Sequence, residues 1–106
     1  MAQTILQINF RFHIPAADLA QAFAPAAQPI ADTPGLRWKV WLLNAAEGGG
    51  IYLFDDEASV QAYLAGPIIG GIRANPALSD LSLRTFGVAE ELSLVTRAPI
   101  RETLLT

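Results

Sequence analysis

Leu6, Ile8, Phe10 and Phe12 alternate with Gln7, Asn9 and Arg11, a period of two that predicts a strand over Ile5 to Phe12 with one apolar face. Pro15 ends this run and suits the first turn of a helix. Leu19, Phe23, Ala26 or Ala27, and Ile30 then recur at helical spacing. Pro25 and Pro29 each remove an internal hydrogen bond, so a helix of about 15 residues is expected, kinked or broken near Pro25. Thr33-Pro34-Gly35 reads as a turn, Leu36 to Asn44 as a second strand, Ala45 to Gly49 as a glycine-bearing hairpin loop, and Gly50 to Phe54 as a third strand. Asp55 or Asp56 caps a second helix whose buried stripe is Val60, Tyr63 and Leu64. Gly66-Pro67 breaks it, Ile68 to Ala74 makes a further short helix, and Leu81 to Val88 is a fourth strand. Glu90 to Thr106 reads as an apolar tail holding a short helix and an extended arm.

The order βαββαβ predicts an α+β, ferredoxin-like sandwich: a four-stranded antiparallel sheet with helices on one face. At 106 residues the chain fits one domain, with a core over residues 3–90 and a C-terminal arm over 91–106. Charged residues make up only 16% of it, fewer than a fully solvated surface wants. A partner chain is therefore expected over part of the surface.

Sorting the strands by alternation places Leu6, Ile8, Phe10, Phe12, Trp38, Val40, Leu42, Ile51, Leu53, Leu81 and Leu83 under the helices. Gln7, Asn9, Arg11, Arg37, Lys39, Trp41, Tyr52, Phe54, Arg84 and Phe86 fall on the other face. That second set mixes cations with aromatic rings. It suits a homodimer in which two sheets pack face to face, with Arg11, Lys39, Trp41, Phe54, Arg84 and Phe86 in the seam and Glu90, Glu91 or Glu102 of the partner meeting the cations. It also suits an anionic ligand held there by Arg11, Lys39 or Arg84.

Composition narrows the chemistry. The chain has no cysteine, which excludes disulfides, thiolate metal sites and a cysteine nucleophile. A net charge of −3 argues against nucleic acid as a partner. No run approaches the ~18 apolar residues that span a bilayer. The N-terminus lacks the basic region of a signal peptide, so a cytoplasmic home is expected. His13 is the single histidine; at a strand end it is more often a hydrogen-bonding surface residue than a catalyst, and without a second ligand it makes no metal site. Gly48-Gly49-Gly50 lacks the Lys-Ser/Thr of a phosphate loop, no dinucleotide fingerprint is present, and Asp55-Asp56-Glu57 is explained by helix capping.

The stretches LQINFRF, PGLRWKVW, GGIYLFDDEASVQAYL and LSLRTFGVAEELS resemble the YdhR-like monooxygenases of the dimeric α+β barrel superfamily. The resemblance spans most of residues 5–95 and implies a dimer whose sheets form a barrel. It also implies a cofactor-independent monooxygenase that joins molecular oxygen to a small aromatic or polyketide-like compound, with no metal or organic cofactor. On that basis Phe10, Phe23, Trp38 and Tyr63 are expected to line a substrate cavity, with His13 moving a proton and Asn9 and Tyr52 giving hydrogen bonds. Some relatives in the superfamily hold haem through a helical histidine; the strand position of His13 disfavours this. Two rival readings are a non-catalytic small-ligand-binding or stress-related homodimer, and a lactone isomerase, for which no acid/base pair is evident.

Overall fold

The computed structural model describes residues 2–100, so the last part of the expected C-terminal arm, Glu102 included, lies outside the described residues. Four strands, β1 (Thr4–Phe12), β2 (Leu36–Leu43), β3 (Glu47–Phe54) and β4 (Leu78–Gly87), form one antiparallel sheet in the order β2-β3-β1-β4. Between β1 and β2 run α1 (Ala16–Phe23), a single 3₁₀ turn (Ala24–Ala26) and α2 (Ala27–Ala31). This is the one expected helix, broken at Pro25, whose missing N–H the tighter turn accommodates. Between β3 and β4 lie α3 (Glu57–Leu64) and α4 (Pro67–Ala74), and α5 (Glu90–Val95) follows β4. The fold is the expected ferredoxin-like α+β sandwich.

Asp56 is the residue that caps α3, its carboxylate accepting from the Ser59 N–H at 2.8 Å. Its neighbour Asp55 instead pairs with Arg37 at 3.5 Å. The backbone hydrogen bond from Ser59 holds the Asp56 carboxyl below its ordinary pKa. The core gathers Leu6, Ile8, Phe10 and Phe12 of β1 with Leu19, Ile30, Val60 and Ile69 of the helices, so the sheet buries one strand face against an amphipathic helix layer.

Strand register corrects the two-face assignment for β2 and β3. Leu6 lies opposite Tyr52, and Thr4 opposite Phe54. Directly paired residues share a face, so Tyr52 and Phe54 belong under the helices, and both are fully buried in the helix-side core. Lys39 pairs with Tyr52 and Trp41 with Gly50, which brings both to the helix side as well. Trp38, Val40 and Leu42, opposite Leu53, Ile51 and Gly49, fall on the open face. The cause is a bulge. Leu36 pairs with Phe54 but Trp38 with Leu53, so Arg37 is an extra residue that inverts all later alternation. In β3 both faces are apolar, and alternation alone carries no phase. For β1 and β4 the assignment holds: Gln7 faces Arg84, Ile5 faces Phe86, and Ile8 faces Leu83.

The triple glycine lies inside β3, not in the hairpin loop. Gly49, at φ +155°, sits where a Cβ would overlap the Ile8 carbonyl, so the β1–β3 backbones approach closely only because that position is glycine. At the far end of the chain Trp38 Nε1 donates to the Pro99 carbonyl at 2.9 Å, tying the C-terminal segment to the open face.

Candidate active site

Between the sheet and the helix layer lie two adjoining hollows of about 260 and 230 Å³. Phe10, Phe23, Trp41 and Gly49 are common to both. The first is apolar, walled by Leu19, Ala20, Leu43 and Gly48. The second adds Ile30, Lys39, Tyr52, Ile68, Ile72 and Asn75. Phe10 meets Phe23 edge-on at 5.8 Å between ring centres, and Phe23 meets Trp41 at 6.0 Å. The partition between the hollows is therefore aromatic, and each flank suits a planar ring.

Lys39 is the chain's one lysine beside six arginines. Its Nζ lies 3.2 Å from the centre of the Trp41 ring and 4.6 Å from that of Tyr52. Space for it comes from Gly50, where a Cβ would come within 2.6 Å of Lys39 Cε and 3.2 Å of the Tyr52 ring edge. Ring faces attract an ammonium, whereas removal from water favours the neutral amine. Burial brings the Lys39 pKa down to about 7. Near neutral pH this amine is thus shared between base and acid forms.

Behind it the Tyr52 and Tyr63 hydroxyls are 3.3 Å apart. Burial raises the pKa of both phenols. They therefore stay protonated, and because two hydroxyls share one hydrogen bond, the pair retains one O–H to offer. Among the described residues no three His, Cys, Asp or Glu side chains converge as a metal group would require.

Of the residues expected to line the cavity, Phe10 and Phe23 do so, while Tyr63 stands behind Tyr52. Trp38 is on the opposite face. The expected proton carrier, His13, lies outside both hollows, exposed at the end of β1, with Nε2 2.7 Å from Ser79 Oγ. Asn9 is on the open face and accepts from Gln7 Nε2 at 2.9 Å; Tyr52 is in the cavity. Of the six seam residues, Arg11, Arg84 and Phe86 lie on the open side, while Lys39, Trp41 and Phe54 do not. An anion bound by Arg84 would therefore not sit against Trp41. Lys39 as a cavity base, Trp41 as its wall and the β3 glycines as its floor were not assigned from the sequence.

The buried amine has a consequence for stability. Between pH 7 and 10.5 the unfolded chain keeps a proton on Lys39 that the folded chain has released. Stability therefore rises with pH across that window, and the cost of burying the ammonium is fully present below pH 7. Tyr52 and Tyr63 act oppositely, but only above about pH 10. Urea unfolding of Lys39→Met is expected to lack this slope, the variant gaining about 1–2 kcal/mol on the wild type at pH 6 and losing that gain by pH 10, after discounting for partial exposure.

The sequence matches the family model described as "Putative mono-oxygenase ydhR" over residues 5–99. Among curated proteins none matches the chain. Several solved structures share the fold. NE2512 of Nitrosomonas europaea, a protein of unknown function, is 26% identical, with 84% of this chain and 91% of that one covered at a TM-score of 0.72. SnoaB of Streptomyces nogalater, a cofactor-independent oxygenase, is 21% identical with 85% and 96% covered at 0.69. MhuD of Mycobacterium tuberculosis, a heme-degrader solved with two hemes in its active site, is 26% identical with 80% and 95% covered at 0.58.

Proposed function

The chain belongs to the ydhR mono-oxygenase family, and from that membership and the cavity around Lys39 we propose that it is a cofactor-independent monooxygenase of planar aromatic ring ketones and their phenolic forms. The observation that carries this reading is the Lys39 amine held between two aromatic rings in a hollow otherwise apolar but for Tyr52 and Asn75. The cofactor-independent oxygenase among its structural neighbours supports it.

The chemistry asks little of the protein. The neutral Lys39 amine removes a proton from the acidic ring CH₂ group of the substrate. The ammonium formed stays beside the carbanion and stabilises it. The electron-rich anion passes an electron to oxygen, and the two radicals combine into a peroxide on the same carbon. The peroxide carbon then gives up its remaining proton to the distal oxygen as the O–O bond breaks, leaving a carbonyl and hydroxide, and the proton held by Lys39 turns that hydroxide into water. One oxygen atom ends in the product and the other in water, so CH₂ plus O₂ gives C=O plus H₂O. The spare hydroxyl proton of the Tyr52–Tyr63 pair is available to the developing oxyanion. Phe10, Phe23 and Trp41 hold the ring plane and keep water away.

The working unit in this reading is a homodimer joined through the open faces of two sheets. That face carries Ile5, Trp38, Val40, Ile51 and Phe86 around a Leu53 already buried within the chain, with Val40 52% and Phe86 42% exposed in the isolated chain. A contiguous apolar sheet face is seldom left to solvent. No helix among the described residues is long and apolar enough to cross a membrane.

Metal-free protein incubated with anthrone is expected to consume one oxygen per quinone formed, above the rate of autoxidation, as followed by an oxygen electrode and absorbance. Absence of turnover across a panel of such ring ketones would sink the proposal.

A further inference from the structure

Lys39 also has the attributes of a nucleophile. Its Nζ projects into the second hollow, which Ile8, Ile30, Ile68 and Ile72 line. Among the described residues no carboxylate pairs with it. A lysine placed only to pin two rings by its charge would be replaceable by arginine, the cation this chain uses at its six other basic positions. An amine that must lose its proton is not replaceable in that way.

We propose that Lys39 is a carbonyl-trapping amine, and that the hollow binds planar aromatic aldehydes or ketones as reversible imines on its Nζ. The nitrogen lone pair adds to the carbonyl carbon while the carbonyl π pair moves to oxygen and takes up a proton. The carbinolamine then expels that oxygen as water, and the C=N bond forms as the nitrogen gives up its protons. Tyr52 lines this hollow, and the O–H left over in the Tyr52–Tyr63 pair suits the departing oxygen. Trp41 and Phe23 stack the ring of the adduct. No oxidant enters, so this activity goes beyond oxygen transfer while using the same amine and cavity.

Selectivity follows from the surroundings of the amine. Tyr52 is the titratable group facing Lys39 across the sheet, with Tyr63 of α3 behind it; α2 and α4 present Ile30, Ile68 and Ile72, and Asn75 follows α4, none of which titrates. The amine is thus depressed by burial alone. Native Lys39 is half neutral near pH 7, whereas an exposed lysine is neutral in about one molecule in 2,500.

Because Lys39 is the sole lysine, the test is direct. The whole protein is treated with 2-naphthaldehyde and cyanoborohydride at pH 7, and the reduced adduct is located by intact mass and peptide mapping. The expected result is one adduct at Lys39, formed at least about 50-fold faster in native protein than in urea-unfolded protein, with Lys39→Arg leaving only slow label on the terminal amine. Label confined to the terminal amine, or Lys39 reacting no faster folded than unfolded, overturns the proposal. Since no oxygen is consumed, trapping without oxygen uptake would retain this inference and remove only the monooxygenase reading.

Discussion

Lys39→Arg is expected to lower kcat/KM for oxygen-consuming turnover by about 10²–10⁴-fold, the range for losing a general base. The wild-type rate should rise with pH through about 7 and then level, because only the neutral amine can accept the proton of the substrate. A guanidinium stays protonated over that whole range, so the arginine variant should show a low rate with no limb near 7. Lys39→Met serves as the companion. It removes the base without adding bulk and relieves the buried charge, so a folded and stable Met variant that is inactive separates chemistry from folding. Near wild-type turnover in Lys39→Met would remove Lys39 from the mechanism.

His13 is the other group that sequence reasoning offers for proton transfer. Its 2.7 Å contact with Ser79 holds the exposed start of β4 to the end of β1, away from both hollows. A His13→Gln variant retaining the limb near pH 7 would accord with Lys39 as its origin.

The contrast between these residues explains what the sequence could convey. Strand β1 was readable in both faces because polar and apolar residues alternate without interruption from Leu6 to Phe12. The helices were readable because Pro25, Asp56 and Gly66-Pro67 break or cap the chain where the backbone demands it. The face of β2 was not readable. A bulge at Arg37 leaves no local mark, since both residues flanking it are apolar, and one extra residue moves every later side chain across the sheet. Trp38 and Trp41 therefore exchanged roles: Trp41 is the cavity wall and Trp38 meets the C-terminal segment. In β3, Ile51 and Leu53 resemble a core face as fully as Tyr52 and Phe54 do, and only the pairing of Leu6 with Tyr52 decides between them. The site was hidden by the same inversion. Placed on the wrong face, Lys39 looked like a seam cation and the glycines like a loop; once the register is known, they combine into a basic group and the space that holds it.

The inversion makes the open face more apolar than alternation suggested, and the consequence is the second large effect. Val40→Lys is expected to convert a dimer into a folded monomer, weakening self-association by at least about 100-fold as read by sedimentation at micromolar concentrations. Val40 is half exposed in the single chain and pairs with Ile51 midway along the edge strand β2. A lysine there is solvated in the monomer and costs the protomer little, but in a sheet-to-sheet seam its ammonium would be buried without a partner. Leu92 and Val95 of α5, 74% and 79% exposed, offer further apolar surface for a partner to cover. Lys39 lies on the opposite side of the sheet, so imine trapping should survive in the Val40→Lys monomer even though the seam is gone. A wild-type protein that sediments as a monomer at high concentration would refute the face-to-face assembly and leave the cavity chemistry standing, because Ile8, Ile30, Trp41, Tyr52, Ile68 and Ile72 already meet around Lys39 within a single chain.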